Sequence, residues 1–183
     1  MGSTVRTSRA RAECRSKPKR NEIGSMNPAP SPELESLRHI LTRDLQVLAK
    51  EVLATPDNAL WSTTDGVTNS VGTLSVHLCG NLRHFVGHLL GQDGYIRLRD
   101  REFSRTPIPK QKVLLEIENT RKAVNQALLH LDPDMLNAPM PSPPAHHEGR
   151  SVRFFLMQLS CHLSRHLGQL NYLRRILEAN TPT

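Results

Sequence analysis

The sequence predicts an all-α protein, and three observations support this fold class. Apolar residues recur at intervals of three and four in four segments of roughly 20 to 28 residues. Capping residues, prolines or glycines mark the ends of these segments. No segment alternates apolar and polar residues as a half-buried strand does. Together they favour a four-helix bundle of the up-down type, with a long crossover before its fourth helix.

The positive charge of the chain is concentrated at its N-terminal end. Residues 1–25 hold seven basic and two acidic residues, which is +5 of the formal +7 of the 183-residue chain. We therefore expect a disordered basic extension over residues 1–25 and one domain over residues 26–183. A cloning remnant before a start at Met26, a transit peptide and a nucleic-acid-binding arm would each explain the extension. The domain itself carries little net charge, so we do not expect nucleic acid as its partner.

Cysteine usage and hydropathy indicate the compartment. The chain has three cysteines, an odd number without close spacing, which argues against a disulfide framework and for a reducing environment. No apolar run is long enough to span a membrane, and no signal-peptide core is present. The sequence therefore predicts a cytoplasmic protein without a membrane partner.

The first helix is predicted from Pro32 to about Ala54. Ser31 is suited to the N-cap and Pro32 to the first helical position, and Glu33 favours the positive end of the helix dipole. The helix should end before Pro56. Its apolar positions follow helical spacing: Leu34, Leu37, Ile40, Leu41, Leu45, Leu48 and Val52.

The second helix is predicted to begin after a cap at Asn69 or Ser70 and to run to about Leu90. Trp61, in the loop that precedes it, is expected to pack over the core. The apolar face consists of Val71, Leu74, Leu78, Leu82, Phe85 and Leu89. One flank of that face carries polar residues at i, i+4, i+7 and i+11, namely His77, Asn81, His84 and His88.

Two connections flank the third helix, which is predicted from about Lys110 to Leu131. The first, residues 91–109, is rich in arginine. The second, residues 137–150, contains four prolines and a His-His pair, and we expect a crossover without regular structure. The fourth helix should run from about Ser151 to Ala179.

Two His-x-x-x-His pairs occur on predicted helices, at His84/His88 and His162/His166. Residues at i and i+4 lie on the same face, which suits two imidazoles that bind one metal ion. The first pair lies on the polar edge of its helix, and the second lies in or beside the apolar arc. A buried metal site therefore fits the second pair better. It needs a third ligand, for which spacing leaves His77, His84 and His88 open, and hydrogen-bonded core histidines are the simpler alternative.

Residues 31–179 resemble the DinB/YfiT-like family of bacterial metal-binding four-helix bundles. The resemblance rests on the fourth-helix motif His162-Leu-Ser-Arg-His166-Leu-Gly-Gln169 and on a second-helix stretch, His-Leu-Cys-Gly-Asn-Leu-Arg, that begins at His77. An arginine-rich segment at residues 95–103 is also similar to one subgroup. The resemblance implies that His77, His162 and His166 bind a divalent metal ion. The polar residues that it places around the metal or the substrate are Asn81, His84, Gln169, Arg97 and Arg99.

The resemblance also implies a function. Three neutral imidazoles leave coordination positions open, as in catalytic zinc sites, and nickel, copper, iron or manganese would also suit such ligands. We expect a metal-dependent S-transferase that activates a low-molecular-weight thiol towards an electrophile, with Arg97 and Arg99 pairing with carboxylates of the thiol. The family implies a homodimer. The alternatives are a non-enzymatic dimeric stress protein that binds a metal or small ligand and, less favoured for lack of an inward carboxylate on the fourth helix, a metal-dependent hydrolase.

Overall fold

The computed structural model describes residues 1–2, 31–104 and 106–180, and these residues confirm the all-α prediction. Within them there are five α-helices and no β-strand. Apart from its first two residues, the predicted basic extension, residues 1–25, lies outside the described part of the chain. The helices are α1 (Pro32–Ala54), α2 (Val71–Leu82), α3 (Arg99–Glu102), α4 (Lys110–His130) and α5 (Val152–Ala179).

The four long helices enclose the core. Both α1 and α2 pack against α4 and α5, so the apolar stripe of each helix is covered by its neighbours. Among the side chains with almost no exposure are Leu41, Leu48, Leu78, Ile117, Leu156, Leu163 and Leu170. In residues 31–104 and 106–180, no helix combines the length and apolarity that crossing a membrane requires.

Serine side chains fix the start of the two helices that carry the candidate site. The Ser70 hydroxyl accepts the N–H of Thr73 at 3.1 Å, and the Ser151 hydroxyl accepts the N–H of Phe154 at 3.3 Å. These are N-caps of the usual kind. Ser31 occupies the N-cap position of α1, but its side chain makes no capping hydrogen bond.

The second helix reaches His88, close to the predicted end at about Leu90, but its last part is π-helical and not α-helical. The α-helix ends at Leu82 and continues as a π-helical turn, Arg83–His88, in which the Leu89 N–H bonds to the His84 carbonyl five residues earlier, at 3.0 Å. Gly87 lies in this turn, where a Cβ would be only 3.3 Å from the Ala123 Cβ of α4. The widened turn therefore lies where the backbone is close to α4. Hydropathy does not reveal it, because the apolar residues of the turn still face inward.

The proline-rich crossover is more regular than predicted. It contains one short 3-10 helix, Ala145–His147, and a second, Pro133–Asn137, leads into it. Its two arms are joined by backbone hydrogen bonds from Met140 N–H to Arg150 O and from Val152 N–H to Ala138 O, both 2.9 Å. Proline fixes φ near the value that such turns need. The crossover therefore folds back beside the start of α5.

Candidate metal centre

Three histidines from two helices converge on one point. His77 lies on α2, and His162 and His166 lie one turn apart on α5. One ring nitrogen from each lies within 4.8 Å of the other two, and the Nε2 atoms of His77 and His162 are 3.1 Å apart. Of the groups available in the described residues, this is the set that could hold a metal ion.

Core packing places these rings. Leu163 of α5 and Leu78 of α2 are fully buried next to the ligand positions in sequence, so each helix is fixed in rotation by its apolar stripe. His77 is buried, with 9% exposure, and His162 and His166 are half-buried. The site therefore lies at the edge of the core, where one side remains open.

The outer nitrogen of His77 has a charged partner. Nδ1 of His77 lies 3.0 Å from Oε2 of Glu102, and Arg97 donates to both carboxylate oxygens of Glu102, from Nε at 2.6 Å and from Nη2 at 2.7 Å. Burial raises the pKa of Glu102, but the hydrogen bonds from Arg97 and His77 outweigh it and lower the pKa overall. An ionised carboxylate accepts only, so His77 Nδ1 carries the proton and Nε2 presents a lone pair.

His166 has an amide as its outer partner. Its Nδ1 lies 2.7 Å from the Oε1 of Gln169, and an amide oxygen accepts hydrogen bonds only. The Nδ1 atom therefore carries the proton, and the Nε2 of His166 also presents a lone pair.

The rings are in the form that binds metals. Burial, followed by the neighbouring His166 and His77, lowers the pKa of His162 from its usual 6.5 to about 4. Burial also lowers the pKa of His166. Near neutral pH, His162 is therefore an uncharged imidazole, which is the ligand form.

The donor set fits a divalent ion such as zinc. When His77 is the neutral Nδ1–H tautomer, its Nε2 only accepts, and His162 then donates from Nε2 across the 3.1 Å contact. A cation in the cluster would take the place of that single proton. Zinc–nitrogen bonds of about 2.0–2.1 Å in a tetrahedral site separate the nitrogens by about 3.3–3.4 Å, close to the 3.1 Å between Nε2 of His77 and Nε2 of His162.

A cavity of about 750 Å³ adjoins the cluster, and all three histidines line it. Its apolar wall includes Phe85, Phe103 and Phe155. The crossover contributes His146 and His147 to the lining, and the His147 ring lies 5.6 Å from that of Phe155. Four of the five polar residues that the resemblance places around the metal or the substrate line the same cavity, namely Asn81, His84, Arg97 and Arg99, and Gln169 is not among its lining residues.

The two predicted arginines differ in their surroundings. The guanidinium of Arg97 is committed through two donors to Glu102, with 11% of its side chain exposed. Arg99 is exposed and lies over the ring of Phe103, 5.6 Å from its centroid. Their pairing with a substrate carboxylate stays a prediction, and Arg99 is the freer of the two.

Two residues of the cavity wall carry buried polar atoms without a partner in the described residues. The Oδ1 of Asn81 and the Nδ1 of His84 are buried and make no hydrogen bond there. Burial, followed by the charge of Arg97, lowers the pKa of His84. Both residues line the cavity, but these two atoms are themselves enclosed. Their predicted role around the metal or the substrate therefore stays a prediction.

Sequence reasoning missed Glu102. It lies in the arginine-rich segment at residues 95–103, for which the expected role was pairing of Arg97 and Arg99 with carboxylates of a thiol. Contact between that segment and His77 is a tertiary feature that spacing does not predict.

The family of the chain is shown by comparison with known proteins. A search of curated proteins finds no match. A family model described as "Protein of unknown function (DUF1572)" matches residues 31–182. That range includes every helix and all three clustered histidines, and the chain therefore belongs to the DUF1572 family.

Proposed function

We propose that the protein is a DinB/YfiT-like four-helix bundle and a metal-dependent S-transferase. In this proposal His77, His162 and His166 hold one divalent ion, and a low-molecular-weight thiol is activated there for transfer to an electrophile. The observation that carries the proposal is that the histidine cluster opens directly into a cavity of about 750 Å³. A purely structural metal site would be closed by a fourth protein ligand.

The ligand chemistry supports an open site for zinc, and nickel, iron or manganese would also fit. The rings of His77 and His166 each have one nitrogen committed to an outer partner. Such partners fix the tautomer and the orientation of a ligand. A divalent ion held by three neutral imidazoles would lower the pKa of a thiol that joined it, which supplies the thiolate nucleophile.

The cavity supports an organic thiol with a carboxylate group as the substrate. Phe85, Phe155 and Leu159 offer an apolar wall, and Arg99 offers an exposed guanidinium at the same cavity. An arginine fork matches a carboxylate. In this arrangement Arg99 binds the carboxylate, and the aromatic wall orients the thiol towards the histidines.

A metal-dependent hydrolase is less well supported. It would need a general base within hydrogen-bond reach of the attacked position. The carboxylate next to the cluster belongs to Glu102, and both of its oxygens are engaged by Arg97, with His77 as a further partner. Glu102 is thus a structural partner of a ligand rather than a free base.

The test begins with metal content. Elemental mass spectrometry on the full chain without a His tag should give close to one metal ion per chain. The ion should be lost in His77→Ala and in His166→Ala, and it should be kept in His84→Ala. His84 is the informative comparison because it lies on the same cavity but outside the cluster.

Activity is the second stage. The metal-loaded protein would be assayed with a panel of low-molecular-weight thiols against alkyl halides and epoxides, and thiol consumption in excess of the buffer rate is expected. His162→Ala should abolish that excess. A metal-loaded protein that is inert to the whole panel would favour a non-enzymatic ligand-binding role, and a protein without metal even after reconstitution would overturn the proposal.

A further inference from the structure

A buried carboxylate lies directly behind the candidate metal ligand of α2. Glu102 is at the end of the short helix α3 and is only 4% exposed. Its carboxylate contacts both His77 and Arg97. Burial of a carboxylate is costly unless it is well paired, so the position of Glu102 requires these two partners.

Gly80 leaves the space that this carboxylate occupies. It lies on α2, close to one turn after His77. A Cβ at position 80 would lie 2.8 Å from Cδ of Glu102, closer than van der Waals contact permits. Glycine is a poorer helix former than alanine, yet here it lets α3 insert a side chain against α2.

Arg97 holds the carboxylate in one orientation. Its two hydrogen bonds to Glu102, at 2.6 and 2.7 Å, form a parallel fork. The remaining direction of Oε2 is towards Nδ1 of His77, 3.0 Å away. Arg97, Glu102 and His77 thus form a hydrogen-bonded chain from the connection into the cluster. The chain ends at Nε2 of His77, which faces His162.

We propose that Glu102 is the positioning residue of this site. It fixes His77 as the Nδ1–H tautomer, with the Nε2 lone pair aimed at the other two histidines. Arg97 orients Glu102, and Gly80 provides its space. The effect of Glu102 on metal affinity rests on the proposed metal site. The tautomer of His77 does not require a metal.

The first experiment measures zinc affinity by competition with a chromophoric chelator. Carboxylates that accept from a ligating histidine typically contribute about 10–100-fold to metal affinity, and Glu102→Gln should weaken zinc binding by about that factor. The matched control is Glu118→Gln on α4. Glu118 forms the same fork with Arg121, with both bonds at 2.8 Å, but no histidine is part of that pair. Its zinc affinity should equal that of the native protein.

Gly80→Ala tests the space without changing any charge. We expect the alanine to displace Glu102 and to weaken zinc binding by about 10-fold or more, at the scale of a lost outer partner. Gly168→Ala is the matched control, because a Cβ at position 168 on α5 would meet nothing within 4 Å. Thermal melting of both variants would show that they are folded at the assay temperature.

Nitrogen-15 NMR of the histidines in the metal-free protein measures the tautomer of His77 separately from metal binding. The expected result is that His77 carries its proton on Nδ1, irrespective of metal. A His77 protonated on Nε2 would overturn the positioning role even if zinc binds. Conversely, zinc binding that is equal in native protein and Glu102→Gln would overturn it, whereas a native protein that binds no zinc but shows the Nδ1–H tautomer would overturn only the metal function.

Discussion

Two pairs of histidines with the same sequence spacing have different geometries in this molecule. The rings of His162 and His166 are 4.5 Å apart and nearly perpendicular, at 88°, and they meet His77. The rings of His84 and His88 are 6.1 Å apart and stacked at 24°. The nitrogens of the first pair converge on a common centre. The difference shows that i, i+4 spacing permits a shared metal ion but does not create a site.

The backbone explains much of this difference. His162 and His166 lie within the uninterrupted α-helix Val152–Ala179, so four residues return to nearly the same face. His84 and His88 lie in the π-helical turn Arg83–His88, where a hydrogen-bonded turn spans five residues and the register shifts. The second difference is tertiary, because only the first pair faces a histidine from the neighbouring helix.

The largest expected effect is the loss of one ligand. His166→Ala should reduce zinc affinity by more than about 100-fold, since loss of a ligand should exceed the effect of losing its outer partner. His88→Ala should leave zinc affinity within about twofold of native, because His88 is neither a member of the cluster nor a hydrogen-bond partner of one of its histidines. Competition with a chromophoric chelator measures both. Equal losses in the two variants would contradict the distinction between the pairs.

The next effect concerns the amide behind His166. Gln169→Ala removes the oxygen that lies 2.7 Å from Nδ1, and water can replace it because Gln169 is exposed. We therefore expect a loss of about 10-fold in zinc affinity, at the lower end for outer partners. Gln46→Ala, at an exposed position of α1, is the control for loss of a surface glutamine. If Gln169→Ala and Gln46→Ala bind zinc with equal affinity, the amide of Gln169 does not contribute to the site.

Much of the fold could be predicted from the sequence because it follows from local rules. The start of α1 at Pro32 and the end of α5 at Ala179 match the predictions, as does the Ser70 cap of α2, one of the two caps considered there. Apolar periodicity and caps are read from neighbouring residues. The π-helical turn at 83–88 escaped prediction because hydropathy does not reveal it, since Phe85 and Val86 in the turn are still buried.

The site, too, has a part that follows from local sequence patterns and a part that depends on tertiary contacts. The helical wheel indicated that His162 and His166 border the core, and the resemblance pointed to His77 as the third member of the set. The structure brings these rings within 4.8 Å of one another. Glu102 could not be predicted, because its contact with His77 depends on the path of a connection and on the space that Gly80 leaves.

The smallest expected effect uses pH to compare His162 with His84 in the metal-free protein. The pKa of His162 is lowered to about 4 and that of His84 is lowered as well, in both cases chiefly by burial. A histidine with a lowered pKa in the folded state binds its proton first in the unfolded state. Its contribution to stability is therefore fully present above about pH 6.5 and is lost as the pH falls towards the folded value.

Urea unfolding of chelator-treated protein at a series of pH values measures this loss. Stability should decrease from pH 6.5 to pH 4, and the decrease should be shallower in His162→Gln, because glutamine does not titrate. His84→Gln should flatten the curve less, since His84 is the more solvent-exposed of the two groups and its charge is better screened. Excess zinc should oppose the decrease in the native protein, because protons and metal compete for the same nitrogens, and it should have no such effect in His162→Gln. A larger change in His84→Gln than in His162→Gln would show that His84, and not His162, is the more strongly desolvated imidazole. That result would contradict the prediction.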